Sequence, residues 1–133
     1  MKKDFGITQK GEYASLYTLS NKKGMKIAVS DYGATLVSIL TADKDGRIRD
    51  VVLGYDDVAG YEKGGAFFGA IIGRNANRIK GACFTINGKT YELTQNNFKN
   101  NLHSGLDFYS KRMWKVEEAD EKHIMLTLDP CNI

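Results

Sequence analysis

Cysteine, histidine, proline and tryptophan are scarce in this chain of 133 residues, and each scarcity closes a route. The two cysteines, Cys83 and Cys131, and the two histidines, His103 and His123, give no ligand spacing for a metal, and none is expected. The start, Met1-Lys2-Lys3-Asp4-Phe5-Gly6, lacks the apolar core of a secretory leader, so both thiols read as free cysteines and a cytoplasmic location is expected. One proline, 14 glycines and 26% charged residues exclude collagen, low complexity and disorder. No apolar run approaches the roughly 20 residues of a spanning helix, so no membrane partner is expected. Charge of one sign is missing too. The net charge is +3 and bases mix with acids, as in Lys111-Arg112 before Glu117-Glu118, which argues against a nucleic-acid partner. The chain has no Gly-x-Gly-x-x-Gly after a strand, no Walker lysine and no Gly-x-Ser-x-Gly elbow, which argues against nucleotide binding and serine hydrolysis.

What is present is β pattern throughout, with 42% hydrophobic residues to supply a core. Residues 13–19 and 26–30 read as strands around an Asn21-Lys22-Lys23-Gly24 turn. Residues 34–40 are apolar on both parities, which predicts a strand buried between two layers. Asp45-Gly46 signals a hairpin into a strand over 50–53. Asp56-Asp57 predicts a capped helical turn over 58–61. Residues 67–72 predict a buried strand. The clearest hairpin is 82–86, Asn87-Gly88, 89–93, because Asn-Gly suits a type I′ turn. Residues 95–101 read as an Asn-rich loop, and 114–118 with 123–128 as a last hairpin. That last strand has no successor in the sequence, so an open edge and self-association through strand edges are expected. No ordinary amphipathic helix, repeat or linker is visible. The fold class is all-β, an antiparallel sandwich or part of one.

Two polar segments stand out against this background: Gly73-Arg74-Asn75-Ala76-Asn77-Arg78-Ile79 and Asn100-Asn101-Leu102-His103-Ser104-Gly105. An isolated arginine is usually just solvated. Here Arg74 and Arg78 flank a turn whose Asn75 and Asn77 tolerate left-handed backbone, and a planar donor fork beside amides suits sugar hydroxyls. His103 lies in a polar loop, where Ser104-Gly105 implies a tight turn that aims the ring. His123 shares a strand face with Met125 and Thr127 and reads as structural or solvent-facing. Phe108, Tyr109 and Trp114 read either as a stacking surface for a pyranose or as core packing under the loop.

These segments, with others in order, resemble the aldose 1-epimerases (galactose mutarotases). The resemblance runs through Asp31-Tyr32-Gly33-Ala34-Thr35-Leu36-Val37-Ser38-Ile39, Asp50-Val51-Val52-Leu53-Gly54-Tyr55-Asp56 and Phe68 to Ile79. It continues through Gly88-Lys89-Thr90-Tyr91-Glu92-Leu93, Asn100 to Gly105 and Lys111-Arg112-Met113-Trp114, covering roughly residues 25–128. It implies a large antiparallel β-sandwich of galactose mutarotase-like type that interconverts the α and β anomers of free aldoses such as galactose or glucose, without metal or cofactor. Carried over by motif, Arg78 and Asn77 match substrate-binding residues, and His103 matches a histidine that binds substrate and takes part in catalysis. Ser104 stands where a glycine is common, a mild departure. The resemblance further implies that residues 1–133 are the N-terminal part of a single domain, with the principal acid histidine and the base glutamate lying elsewhere. Asp129-Pro130-Cys131-Asn132-Ile133 does not continue the family pattern. An isomerase impaired or inactive as this chain is therefore expected. The alternatives are a non-catalytic carbohydrate-binding remnant and a β-rich interaction module.

Overall fold

Strand-forming residues punctuated by glycine and asparagine turns run through the chain, and a computed structural model, which describes residues 1–129, is antiparallel β with one short α-helix and two single 3-10 turns. The expectations for Cys131 and for the sequence pattern after Asp129 lie outside the described residues. Two compact units divide the chain: Met1–Ile71 with Met113–Ile133, and Ile72–Arg112.

In the first unit, strands β1 (Lys2–Ile7), β2 (Tyr13–Ser20), β3 (Lys26–Ser30), β4 (Leu36–Ala42) and β5 (Ile48–Asp50) form one antiparallel sheet in sequential order. Asx turns set its hairpins. Asn21 Oδ1 accepts the Lys23 and Met25 amides at 2.9 and 3.1 Å, and Asp43 Oδ1 accepts those of Asp45 and Arg47, both at 2.9 Å. Alternation along the strands places Phe5, Ala14, Leu16 and Ala28 in a core with Tyr32, and with Val58 and Tyr61 of the helix α1 (Val58–Lys63). Asp57 caps that helix by accepting the Gly60 amide at 2.8 Å, as the sequence predicts, and the helix runs two residues further than 58–61. Tyr55 lies over Gly60 and Gly64: a Cβ on either would sit 2.5 Å from its side chain. Its ring meets Tyr61 edge-on at 5.1 Å. β10 (Lys115–Ala119) and β11 (Ile124–Thr127) form a hairpin, and among the described residues β11 pairs with β10 alone.

Three strand expectations are corrected. The strand expected over 34–40 starts at Leu36, because Ala34 has φ 47° and belongs to the turn, and its residues are half-buried rather than buried. The strand expected over 50–53 ends at Asp50, whose carboxylate accepts the Ile39 and Val52 amides at 3.1 Å, so of the next ladder pair only the bond from the Val51 amide to the Ile39 carbonyl, at 3.0 Å, is made; Val51 and Leu53 are exposed. The run 67–72 is not a strand. Gly69 turns at φ 58°, with its carbonyl accepting the Leu36 amide at 2.9 Å, and a Cβ there would collide with the Leu36 carbonyl oxygen.

In the second unit, β6 (Arg78–Ile79) pairs with β9 (Asn101–Leu102), and β7 (Cys83–Ile86) with β8 (Lys89–Glu92). Asn87 and Gly88, at φ 50° and 76°, make the expected left-handed turn. Cys83 is a free thiol, as expected, and it is exposed because every residue of this hairpin faces solvent. No helix among the described residues is long and apolar enough to cross a membrane.

Candidate functional site

Asn77, Arg78 and His103 all fall within Ile72–Arg112, and one short ladder brings them together. Arg78 pairs with Leu102, and Ile79 with Asn101, so Asn77 and His103 meet where that ladder ends. The backbone turns sharply there. Asn77, His103 and Ser104 have φ of 65°, 53° and 68°, a left-handed geometry that costs a non-glycine residue about 1–2 kcal/mol. Bonds between the two segments offset that cost. The Asn77 amide donates to His103 Nδ1 at 2.9 Å, and the His103 amide donates to the Asn77 carbonyl at 3.0 Å. One step out, the Asn75 amide donates to Ser104 Oγ at 2.8 Å, and Ser104 Oγ donates to the Asn75 carbonyl at 3.4 Å.

The bond to Nδ1 has a chemical consequence. A ring nitrogen that accepts a proton bond is unprotonated, so neutral His103 carries its hydrogen on Nε2 and presents that nitrogen as a donor. Arg78 is fixed from two sides. Its Nε donates to Asn97 Oδ1 at 2.8 Å and its Nη1 to Asn77 Oδ1 at 3.2 Å. Both partners are neutral amides, so the guanidinium is oriented while its charge is left intact.

The Asn-rich segment supports this arrangement bond by bond. Asn96 mimics a strand neighbour for Leu102, accepting its amide at 2.7 Å and donating to its carbonyl at 2.9 Å. Buried Asn101 donates to the Thr94 carbonyl at 2.8 Å, and Asn100 accepts the Gly81 amide at 3.1 Å. Beside it, Tyr109 rests on Gly73, where a Cβ would lie 2.7 Å from the ring. Its hydroxyl accepts from Arg74 Nε at 2.8 Å, and Arg112, ion-paired with Asp107 at 2.7 Å, covers the ring face at 5.3 Å. Tyr109 thus has a packing role, one of the two the sequence left open for it.

Sequence reasoning named Asn77, Arg78 and His103 and missed their supports, Asn97 and the Ser104 staple. The signal within reach was the density of asparagines from Asn96 to Asn101. His123 lies in the other unit, more than half exposed and 4.0 Å from Glu118, as its solvent-facing reading has it. The carboxylates of residues 72–112 are Glu92 and Asp107. Asp107 is engaged with Arg112, and Glu92 lies on the exposed hairpin opposite Cys83. In the first unit, burial pushes the Asp31 carboxyl above its ordinary value, although Ser15 hydrogen bonds oppose this, and burial pushes Tyr32 up to about 12. Asp31 accepts the Ser15 amide at 2.7 Å and is a structural acid. No cluster of His, Cys, Asp or Glu among the described residues could hold a metal ion.

Comparison with known proteins bears on this geometry. The sequence model described as aldose 1-epimerase matches residues 15–130. A galactose mutarotase of Bos taurus is 40% identical over 90 residues, which is 68% of this chain and 26% of that protein. An aldose 1-epimerase of Escherichia coli (strain K12) is 36% identical over 118 residues, 89% of this chain and 34% of that one. The crystal structure of a GalM/aldose epimerase homologue from C. elegans superposes with a TM-score of 0.81 at 34% identity, covering 85% of this chain and 35% of that chain. A galactose 1-epimerase from Lactobacillus acidophilus NCFM gives 0.76 at 25% identity, covering 93% and 36%. The antiparallel β architecture is therefore that of the galactose mutarotase sandwich, and the chain spans between about a quarter and about a third of the length of these relatives.

Proposed function

The chain belongs to the aldose 1-epimerase family, and on that premise we propose that it binds free aldoses such as galactose and glucose and acts in exchanging their α and β anomers. Residues 1–133 are then the N-terminal part of one sandwich domain, and Asn77, Arg78 and His103 hold the sugar. The observation that carries this reading is the paired bonding of Asn77 and His103 beside a braced Arg78. It brings together two kinds of donor, an Nε2–H and a guanidinium, whose chemistry suits neutral oxygen acceptors.

Anomer exchange opens the ring. A base removes the proton of the anomeric hydroxyl, the bond from C1 to the ring oxygen breaks, and that oxygen gains electron density and then a proton. Rotation about C1–C2 and reclosure give either anomer. Donors fixed before the reaction stabilise the charge that grows on the ring oxygen, because they need no reorganisation as it forms. His103 Nε2–H and Arg78 fill that role, with Asn77 setting the orientation of both. His103 is then catalytic as a hydrogen-bond donor in contact with the reacting oxygen.

The base is a separate matter. Asp107 is held by Arg112 and Glu92 sits on the exposed hairpin, so neither carboxylate of the 72–112 unit is assigned that part. The isolated chain is therefore proposed to bind sugar with little turnover. A positioned acid and base each contribute about 10²- to 10⁴-fold, and neither is assigned within the unit. The exposed thiol of Cys83 accords with a reducing compartment, and we assign the chain to the cytoplasm on that ground.

Polarimetry with fresh α-D-galactose and α-D-glucose tests the reading, with a His103→Ala variant and a protein-free blank beside the parent. A parent rate close to the blank, with saturable galactose binding that His103→Ala abolishes, is the expected result. Acceleration unaffected by His103→Ala would overturn the assignment of the site.

A further inference from the structure

Asn97 stands outside every motif that identifies the family, yet it makes the shorter of the two bonds to Arg78. We propose that Asn97 is the positioning residue of Arg78: it fixes the guanidinium through Nε while leaving its charge undiminished. The inference rests on the sugar-binding reading for its consequence, though its geometry stands without it.

Three observations carry it. The first is the bond itself, from Arg78 Nε to Asn97 Oδ1 at 2.8 Å. The second is that Asn97 is itself anchored. Its amide donates to the Asn100 carbonyl at 3.2 Å and its carbonyl accepts the Asn100 amide at 3.0 Å. These bonds close a tight turn whose tip, Phe98, is 93% exposed at φ 54°. An exposed phenylalanine in left-handed backbone gains nothing from packing. The turn is held by its base, and its base is where Asn97 takes the guanidinium. The third is the division of the fork. Asn97 engages Nε and Asn77 engages Nη1 at 3.2 Å, so two points define the plane of the group and Nη2 is used by neither bond.

The chemistry of the acceptor matters as much as its place. A carboxylate at position 97 would grip Nε more tightly, since charge-assisted bonds are stronger. It would also neutralise the guanidinium and weaken its donation to a ligand. A carboxamide orients without quenching. For a neutral ligand such as an aldose, whose hydroxyls offer no charge of their own, donor strength at Arg78 is what the site has to offer. The proposed role is therefore specific to asparagine and is not a generic polar contact.

The test uses the full 133-residue chain and two variants, Asn97→Ala and Asn97→Asp. The first readout is the Arg78 Nε–H cross-peak in a nitrogen–proton spectrum at mildly alkaline pH, where base-catalysed exchange with water erases an unheld Nε–H and a held one stays visible. The second is a D-galactose titration. The parent should show the cross-peak, Asn97→Ala should lose it, and Asn97→Asp should restore it. Galactose binding should weaken about three- to tenfold in Asn97→Ala, the range of one hydrogen bond. It should stay weakened in Asn97→Asp despite the restored peak. An unchanged cross-peak in Asn97→Ala overturns the proposal, whatever happens to binding. Weakened binding with an unchanged peak would make Asn97 a direct ligand instead. A cross-peak that behaves as expected, in a parent that binds no galactose, leaves the positioning role in place and overturns the sugar reading.

Discussion

Replacing Ser104 separates two opposed terms that the structure places on one residue. Ser104 lies at φ 68°, where a Cβ costs about 1–2 kcal/mol. Its hydroxyl accepts the Asn75 amide at 2.8 Å, a neutral bond whose net worth at an exposed site is about 0.5–1 kcal/mol, and returns a weaker bond at 3.4 Å. Ser104→Ala keeps the strained Cβ and loses the bonds, so it should destabilise by about 1 kcal/mol. Ser104→Gly loses the same bonds but relieves the strain, against about 0.4–1 kcal/mol of added unfolded-state entropy, so it should lie within about 0.5 kcal/mol of the parent. Urea unfolding measures the global difference. Hydrogen exchange at the Asn75 amide measures the local one, and it should accelerate about fivefold in both variants, because both lose the acceptor. Unchanged Asn75 exchange in Ser104→Ala, or a glycine variant less stable than the alanine one, would refute the staple.

The remaining predictions concern packing, tautomer and pH. Gly69→Ala should cost more than about 3 kcal/mol in urea unfolding, because its Cβ meets the Leu36 carbonyl in a left-handed turn. Gly73→Ala should cost about 1–3 kcal/mol by displacing the Tyr109 ring, and near-ultraviolet dichroism should register the shift. Nitrogen chemical shifts of the neutral ring should show the His103 hydrogen on Nε2 rather than Nδ1, and His103→Ala should deprotect the Asn77 amide in hydrogen exchange. For Asp31, burial raises the folded pKa, so the folded state holds the proton more tightly than the unfolded chain. Its contribution is full below the unfolded value and is lost as pH rises through the folded one. Asp31→Asn keeps an oxygen for the Ser15 amide and removes that loss. The variant's stability relative to the parent should therefore rise with pH across this window in parallel urea titrations, and a flat difference would contradict the account.

Much of the fold was legible because local chemistry decided it. Asn87-Gly88 could be read as a hairpin turn since both residues accept left-handed backbone, and both adopt it. Asp57 could be read as a cap since its oxygen has a free amide to satisfy three residues on. The failures have the opposite cause. Residues 67–72 carry a strand's composition, but Gly69 bends them into a loop whose Phe68 packs against Tyr55. At Asp50 a side chain takes the Ile39 amide that the ladder would have used, which composition does not reveal. The site followed the same rule. Asn77, Arg78 and His103 were visible as residue types in polar segments, whereas the contact of Asn97 with Arg78 depends on a turn that closes against Asn100, and that of Ser104 on Asn75, far away in sequence.

The central claim is that the Ile72–Arg112 unit holds an aldose through Asn77, Arg78 and His103. A nitrogen–proton titration of the 133-residue chain with D-galactose, including the side-chain signals of Arg78 and His103, tests it most directly. The account predicts saturable shifts confined to these residues and their braces, abolished by Arg78→Ala in a chain that stays folded. Shifts that never saturate, or that map to the five-stranded sheet of the other unit, would contradict it.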